Sequence, residues 1–189
     1  MKSKIKAKDR ISAILERPGS AVEKVLMSSR WEWEHWRKGE LIDRWMEKNI
    51  CTDEGLEHVL DVAFSGATQI ASWYVAVYNT NTTAVAGMTY ATPVLTEATN
   101  YAGERPAWQE GGVSSKSITN SANKASFTFA SAATIYGGLT VGGGSAATTP
   151  GDAAGGGVLY NVSAFTGGAK SVASDDVLKV TVALTIADA

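Results

Sequence analysis

Apolar and polar positions alternate along most of this chain, and the breaks fall at Gly, Pro or Asp. Residues 9–16 are the first exception: Ile11, Ile14 and Leu15 lie at i, i+3, i+4, one face of a helix. Pro18 and Gly19 end that pattern. Ser20 then caps a second short helix, with Glu23 at the capping-box position and Val22, Val25 and Leu26 as its stripe. Both predicted helices are too short to be stable alone, so they need a body or a partner to pack on. From residue 30 the period switches to two. Trp31, Trp33 and His35 alternate with Glu32, Glu34 and Trp36, and alternation resumes after Lys38 and Gly39 through residue 50. This predicts a β-hairpin over 31–50 that turns at Lys38 and Gly39, with a continuous helix as the alternative.

Thr52 opens a helix over 52–65. Its hydroxyl caps the first turn, where Asp53 and Glu54 suit the dipole, and Ser65 and Gly66 close it. Leu56, Val59, Leu60 and Ala63 form its apolar face. From residue 69 onward the chain reads as strands. Residues 70–78 are apolar on both faces, which suits a central strand. Further strands are predicted at 116–120, 125–130, 134–141, 158–165 and 178–186. Two stretches lack a regular signal. Residues 88–113, with Pro93 and Pro106, read as a long crossing loop. Residues 142–157 (GGGSAATTPGDAAGGG) read as an exposed low-complexity loop, either mobile or a surface contact.

The expected fold class is therefore mainly β, in the α+β sense. It is an antiparallel β-sandwich with one embedded helix and a short helical N-terminal arm, divided as 1–30 (arm) and 31–189 (sandwich domain). The pattern leaves immunoglobulin-like and jelly-roll connectivities open.

Charge changes the picture by its placement. Residues 1–58 hold 12 of the 17 Lys and Arg, 11 of the 19 Asp and Glu, and four of the six Trp. The rest of the chain is written mostly in Gly, Ala, Ser, Thr and Val. A net charge of −2, with five basic residues in the body, argues against nucleic acid as a partner. Lys2, Lys4, Lys6 and Lys8 suit either a solvated terminus or an arm that orders on an acidic surface. The terminus has no apolar leader run, and no stretch is apolar for long enough to predict a membrane span. The single Cys51 leaves no intrachain disulfide.

Candidate chemistry is sparse. His58 with Glu54 and Asp61 can be drawn as a metal site on one helix face, but such a triplet is common by chance and reads as an ion-pair face. Cys51 reads as a small buried thiol, without a base to activate it. Asp175 and Asp176 fit a turn rather than a pair of acids for glycoside hydrolysis, and Trp108 with Glu110 is a thin basis for a carbohydrate cleft. The Gly runs lack the Lys-Ser/Thr of a phosphate loop. The expectation is no catalytic residues, no cofactor and no metal, which points to an interaction protein rather than an enzyme.

Residues 48–56 (KNICTDEGL), running into 59–62 (VLDV), are followed in order by 73–78 (WYVAVY), 89–93 (TYATP), Thr96 and Glu97, 104–108 (ERPAW) and 117–128 (SITNSANKASFT). In order and spacing this series resembles a group of small virion structural proteins of tailed bacteriophages, described as head-decoration, head-fibre or tail-fibre-like. The resemblance spans about residues 31–189 and leaves the N-terminal extension outside it. It implies a homo-oligomeric β-domain, expected as a trimer, on the outside of the virion. The protein would be made in the host cytoplasm, with the major capsid protein as partner, and with neither nucleic acid nor membrane. The residues expected to meet the capsid or a neighbouring subunit are Lys2, Lys4, Lys6, Lys8, Ile11, Ile14, Leu15, Trp31, Trp33 and Trp36. A tail-fibre or receptor-binding role is the alternative.

Overall fold

The computed structural model describes residues 25–188. The chain runs β1 (Val25–Arg37), β2 (Glu40–Lys48), β3 (Ile50–Cys51), α1 (Asp53–Leu60), a π-helical turn (Asp61–Ser65) and β4 (Trp73–Tyr78). After a long connection come β5 (Ser117–Thr119), β6 (Ala125–Thr128), β7 (Ala133–Ile135), β8 (Gly137–Gly142), β9 (Val158–Ala164), β10 (Lys170–Val172) and β11 (Val177–Asp188). Pairing is antiparallel throughout. One sheet runs β2-β1-β11-β5, with β6 also on β11, and a second runs β3-β9-β8-β4, while β7 and β10 form a small ribbon. The mainly β sandwich-like architecture with one embedded helix is as the pattern predicts.

The hairpin forms where expected. Lys38 and Gly39 both hold positive φ, +50° and +83°, the two-residue turn whose twist matches paired strands. One detail departs from simple alternation. The register jumps between His35 and Trp36, which pair with Asp43 and Leu41, so Ile42 is left unopposed as a bulge. Bulges blunt an edge strand against unwanted pairing, and β2 is an edge.

Strand β1 begins at Val25 and pairs with β11 along its length, from Val25 opposite Asp188 to Trp36 opposite Val177. Two expectations are corrected by this. Val25 and Leu26 belong to a strand, not to the stripe of a helix begun at Ser20. The sheet also starts before the expected boundary at residue 30, because twelve ladder pairs to β11 outweigh the helical preference of a short segment. The expected helix over 9–16, the first residues of the second one, and Lys2 through Leu15 lie outside the described residues.

The main core sits between the two large sheets. Trp31, Trp33, Phe127, Leu178, Val180 and Val182 meet Val75 and Val77 there, all fully buried. Trp33 stacks on Trp31 at 5.5 Å and on Trp45 at 5.9 Å, and Phe165 closes edge-on at 4.9 Å. Gly138 makes room for this stack. A Cβ there would lie 2.8 Å from both Trp31 and Trp33. A second core lies on the other face of β4-β8-β9, where Ala76, Tyr78, Leu139, Val141 and Leu159 are covered by Ala84, Met88 and Tyr90 from the long connection. That sheet is apolar on both faces, as β4 alone suggested. The expected strand over 134–141 is two strands, β7 and β8, because Tyr136 breaks the ladder by bonding across to Tyr78 and Phe165.

Candidate interaction surface

Helix α1 is set by its N-terminus. Thr52 Oγ1 accepts from the Gly55 N–H at 3.0 Å and donates to the Leu159 carbonyl, so one hydroxyl both caps the helix and ties it to β9. Gly55 allows the contact: a Cβ there would lie 2.5 Å from the Tyr160 carbonyl oxygen. The Glu54 carboxylate accepts from the backbone N–H of Tyr90 at 2.8 Å and of Leu159 at 2.7 Å. It is therefore a clip between two segments and faces away from any role with His58, whose ring packs edge-on against Trp73. Among the described residues, no group of His, Cys, Asp and Glu is placed to hold a metal ion.

Beyond its capped end, α1 covers less than its sequence promises. Leu60 is 58% exposed and Phe64, on the π-helical turn, is 84% exposed. Of the helix, only Gly55 is fully buried. Between α1 and the ends of β1 and β11 runs an apolar groove made of two joined hollows of about 300 and 430 Å³. Val59, Tyr160 and Leu184 line both; Trp73 and Trp108 extend it one way, and Met27, Val113 and Ile186 the other. Burial pushes the Tyr160 phenol well above its ordinary pKa, so it stays neutral. Thr140, 2% exposed, presents to this groove a hydroxyl that has no hydrogen-bond partner among the described residues. Val113 at 73% and Ile186 at 44% add exposed apolar surface at the rim.

The low-complexity loop is built quite differently. Arg105, 4% exposed, is fixed by Glu97 through Nε and Nη2, with the shortest contact 2.7 Å. The same guanidinium donates to the carbonyls of Ala147 and Asp152, at 3.0 and 2.8 Å. Tyr90 donates to Asp152 Oδ2 at 2.6 Å, and Gly151 N–H donates to Glu97 at 2.7 Å. Residues 147–152 are thus held by one ion pair and its neighbours. Gly157 lets the chain pass over Tyr90, where a Cβ would lie 2.6 Å from the ring. Of the two sequence alternatives for this loop, the structure shows it fastened to the body.

A third polar cluster joins the hairpin to the turn before β11. Asp176, 1% exposed, accepts two bonds from Arg37 at 2.7 and 2.8 Å and meets His35 Nε2 at 2.8 Å. The Arg37 guanidinium, together with the Ala173 N–H and His35, holds the Asp176 carboxyl well below the usual carboxylate range against the cost of burial. Asp175, at φ +65°, forms the turn itself. Trp108 is buried and donates to the Val182 carbonyl at 3.2 Å, while Glu110 is exposed, so the two do not form a cleft. Cys51 is half-buried and its thiol is raised, chiefly by burial.

Of the residues expected to face a partner, Trp31 and Trp33 are fully buried in the core and do not reach the surface. Trp36 is half-buried on the outer face of the sheet, donates to Glu34 at 3.1 Å, and lies 4.7 Å beneath the Lys179 ammonium. The apolar groove was not foreseen. Its lining comes from segments scattered along the chain from Met27 to Ile186, and the one local sign was the helical stripe of Leu56, Val59, Leu60 and Ala63, too wide to be covered by a single neighbour. Arg105 and Glu97 were also missed, hidden in a connection with no periodicity. No family model matches the chain, and no curated protein sequence matches it.

Proposed function

We propose that this protein is a bacteriophage virion structural protein, a capsid decoration or head-fibre protein that binds the outer surface of the major capsid lattice. The observation that carries the reading is the exposed apolar surface at this end of the sandwich: Val113 and Ile186 stand exposed at the groove, and Leu60 and Phe64 stand exposed on α1 and the turn that follows it. A surface of that kind on an otherwise well-paired β-domain marks a contact with another macromolecule. The series of motifs from residue 48 to 128 supports a virion setting. A charge-rich N-terminus ahead of a charge-poor body supports a molecule with one end toward a partner and the other toward solvent.

The N-terminal segment with Lys2, Lys4, Lys6 and Lys8 supplies the charged part of the contact in this proposal, and the protein acts as a homotrimer. Three weak contacts held on one trimer act together, so modest single contacts suffice for firm attachment. Trp31 and Trp33 have no part in it except to hold the sandwich together.

The test is to mix purified protein with phage heads that lack it and to image what co-sediments. Saturable binding at regular lattice positions is the expected result. The chain without residues 1–24 is expected to remain folded and to lose most of its binding. The cut falls at residue 24 because residues 25–29 are strand β1. Protein found only at tails or on host cells would replace this reading with the receptor-binding one.

A further inference from the structure

We propose that the hollow beside the second half of α1 is a binding site for a small neutral aromatic molecule that carries one hydroxyl group, a phenol in the simplest case. The walls are the first reason. Of the two joined hollows, the one of about 300 Å³ is bordered by the rings of His58, Trp73, Trp108 and Tyr160. Trp73 meets both His58 and Tyr160 edge-on, each at 5.7 Å between ring centres. Aromatic walls receive a further ring in the offset or edge-on arrangements that ring quadrupoles favour, and a hollow of this volume suits a ligand of one ring with short substituents.

The second reason is a pair of hydroxyls. Thr140, 2% exposed, and Tyr160, 6% exposed, both line this hollow. Neither side-chain hydroxyl has a hydrogen-bond partner among the described residues. A buried hydroxyl without a partner is costly, and a ligand hydroxyl can donate to one and accept from the other. The third reason is charge. No Lys, Arg, Asp or Glu borders this hollow, and burial keeps the Tyr160 phenol neutral. The half-buried His58 ring is the one group there that an anion could pair with, and Lys116 borders only the adjoining hollow. A charged ligand gives up its hydration on entering such a space, which a neutral one avoids. Val59 and Val62, on α1 and the turn after it, border the same hollow, so a bound ring also ties this sparsely buried helix to the sheets. The exposed Leu60 and Phe64 lie outside the lining and stay available to a macromolecular partner. The inference does not depend on what that partner is.

The experiment titrates the full chain with 4-methylphenol and follows amide and methyl NMR shifts. 4-Xylene, which has a methyl in place of the hydroxyl, and 4-methylbenzoate, which is charged, are the comparison ligands. The expected result is saturable binding at one site per chain, with the largest shifts at Val59, Thr140 and Leu184. Both comparison ligands are expected to bind about tenfold more weakly. Thr140→Val with Tyr160→Phe keeps both shapes and removes both hydroxyls. Neither hydroxyl is bonded within the described fold, so this variant is expected to fold as the parent does and to bind 4-methylphenol and 4-xylene alike. Ala63→Trp, at an exposed position bordering the hollow, fills it without touching the core and is expected to abolish binding. No saturable shift, shifts confined to other parts of the molecule, or binding unchanged by Ala63→Trp would overturn the site. Equal affinity of the parent for 4-methylphenol and 4-xylene would overturn the ligand class, as would tighter binding of 4-methylbenzoate. Head binding plays no part in these readouts, so failure here and failure of the virion reading are separable.

Discussion

The loop over residues 142–157 and the apolar end beside α1 are both exposed features of the same sandwich, yet they are finished in opposite ways. The loop looks unstructured in sequence but every strong polar group beneath it is paired. Arg105 spends its donors on Glu97, Tyr90, Ala147 and Asp152. The apolar end looks regular in sequence but leaves Leu60 and Phe64 in water and, among the described residues, the Thr140 hydroxyl without a hydrogen-bond partner. A buried charge has to be satisfied within the chain, or folding does not proceed. Exposed apolar surface carries a smaller, diffuse cost, and it can be left for a second body to cover. The contrast tells which region completes the fold and which one is available for assembly.

The comparison can be broken most severely at the loop. Arg105→Ala leaves Glu97 buried without its counter-charge and is expected to cost about 3–5 kcal/mol. Denaturant unfolding checks the loss, and limited proteolysis should show new cleavage within 142–157. A cost under about 1 kcal/mol would mean that the loop is not fastened as described. Next in size is Gly55→Ala, which sets a methyl against the Tyr160 carbonyl and pushes α1 off β9. A cost of about 2–3 kcal/mol is expected despite alanine's better helix propensity, since overpacking against backbone leaves little to yield.

Asp176→Asn removes the charge facing Arg37 and His35, and about 2 kcal/mol is expected at neutral pH. The sign of the pH dependence follows from the lowered native pKa. The carboxylate's contribution is present above its ordinary unfolded value of about 4, and is lost as pH falls below that toward the native one. The stability gap between parent and Asp176→Asn should therefore be flat above about pH 5 and shrink below about pH 4. A gap that grows on acidification would contradict the pairing. The smallest effect on folding is expected at the other region: Phe64→Ser should change stability by no more than about 0.5 kcal/mol. Its effect on head binding, measured by co-sedimentation, should be a clear loss. Large destabilisation would show that Phe64 belongs to the fold rather than to a contact.

Much of the architecture was legible because its signals are local. The turn at Lys38 and Gly39, the cap at Thr52, the stop at Gly66 and the alternation of β11 each rest on a few neighbouring residues whose backbone or side-chain preferences agree. The start of β1 was misplaced because residues 20–26 favour a helix locally, and only the ladder to β11, more than 150 positions away, decides for a strand. Trp31 and Trp33 were read, with Trp36, as possible contact residues because a charged, Trp-rich segment can supply aromatic anchors to an interface. Their two-residue period places them on one face but does not say whether that face is inside. That is settled by Gly138, which brings the second sheet close enough to enclose them.

The sequence by itself determined the mainly β class, the hairpin, the capped helix and the separation of a charge-rich terminus from a charge-poor body. These follow from periodicity and from the chemistry of single turns. Tertiary structure alone decided that Arg105 fastens a glycine-rich loop through Glu97, that Asp176 is shared by Arg37 and His35, and that α1 leaves an apolar groove against β1 and β11. Each of these brings together segments far apart in the chain. Burial and pairing are properties of that assembled space, and no local pattern carries them.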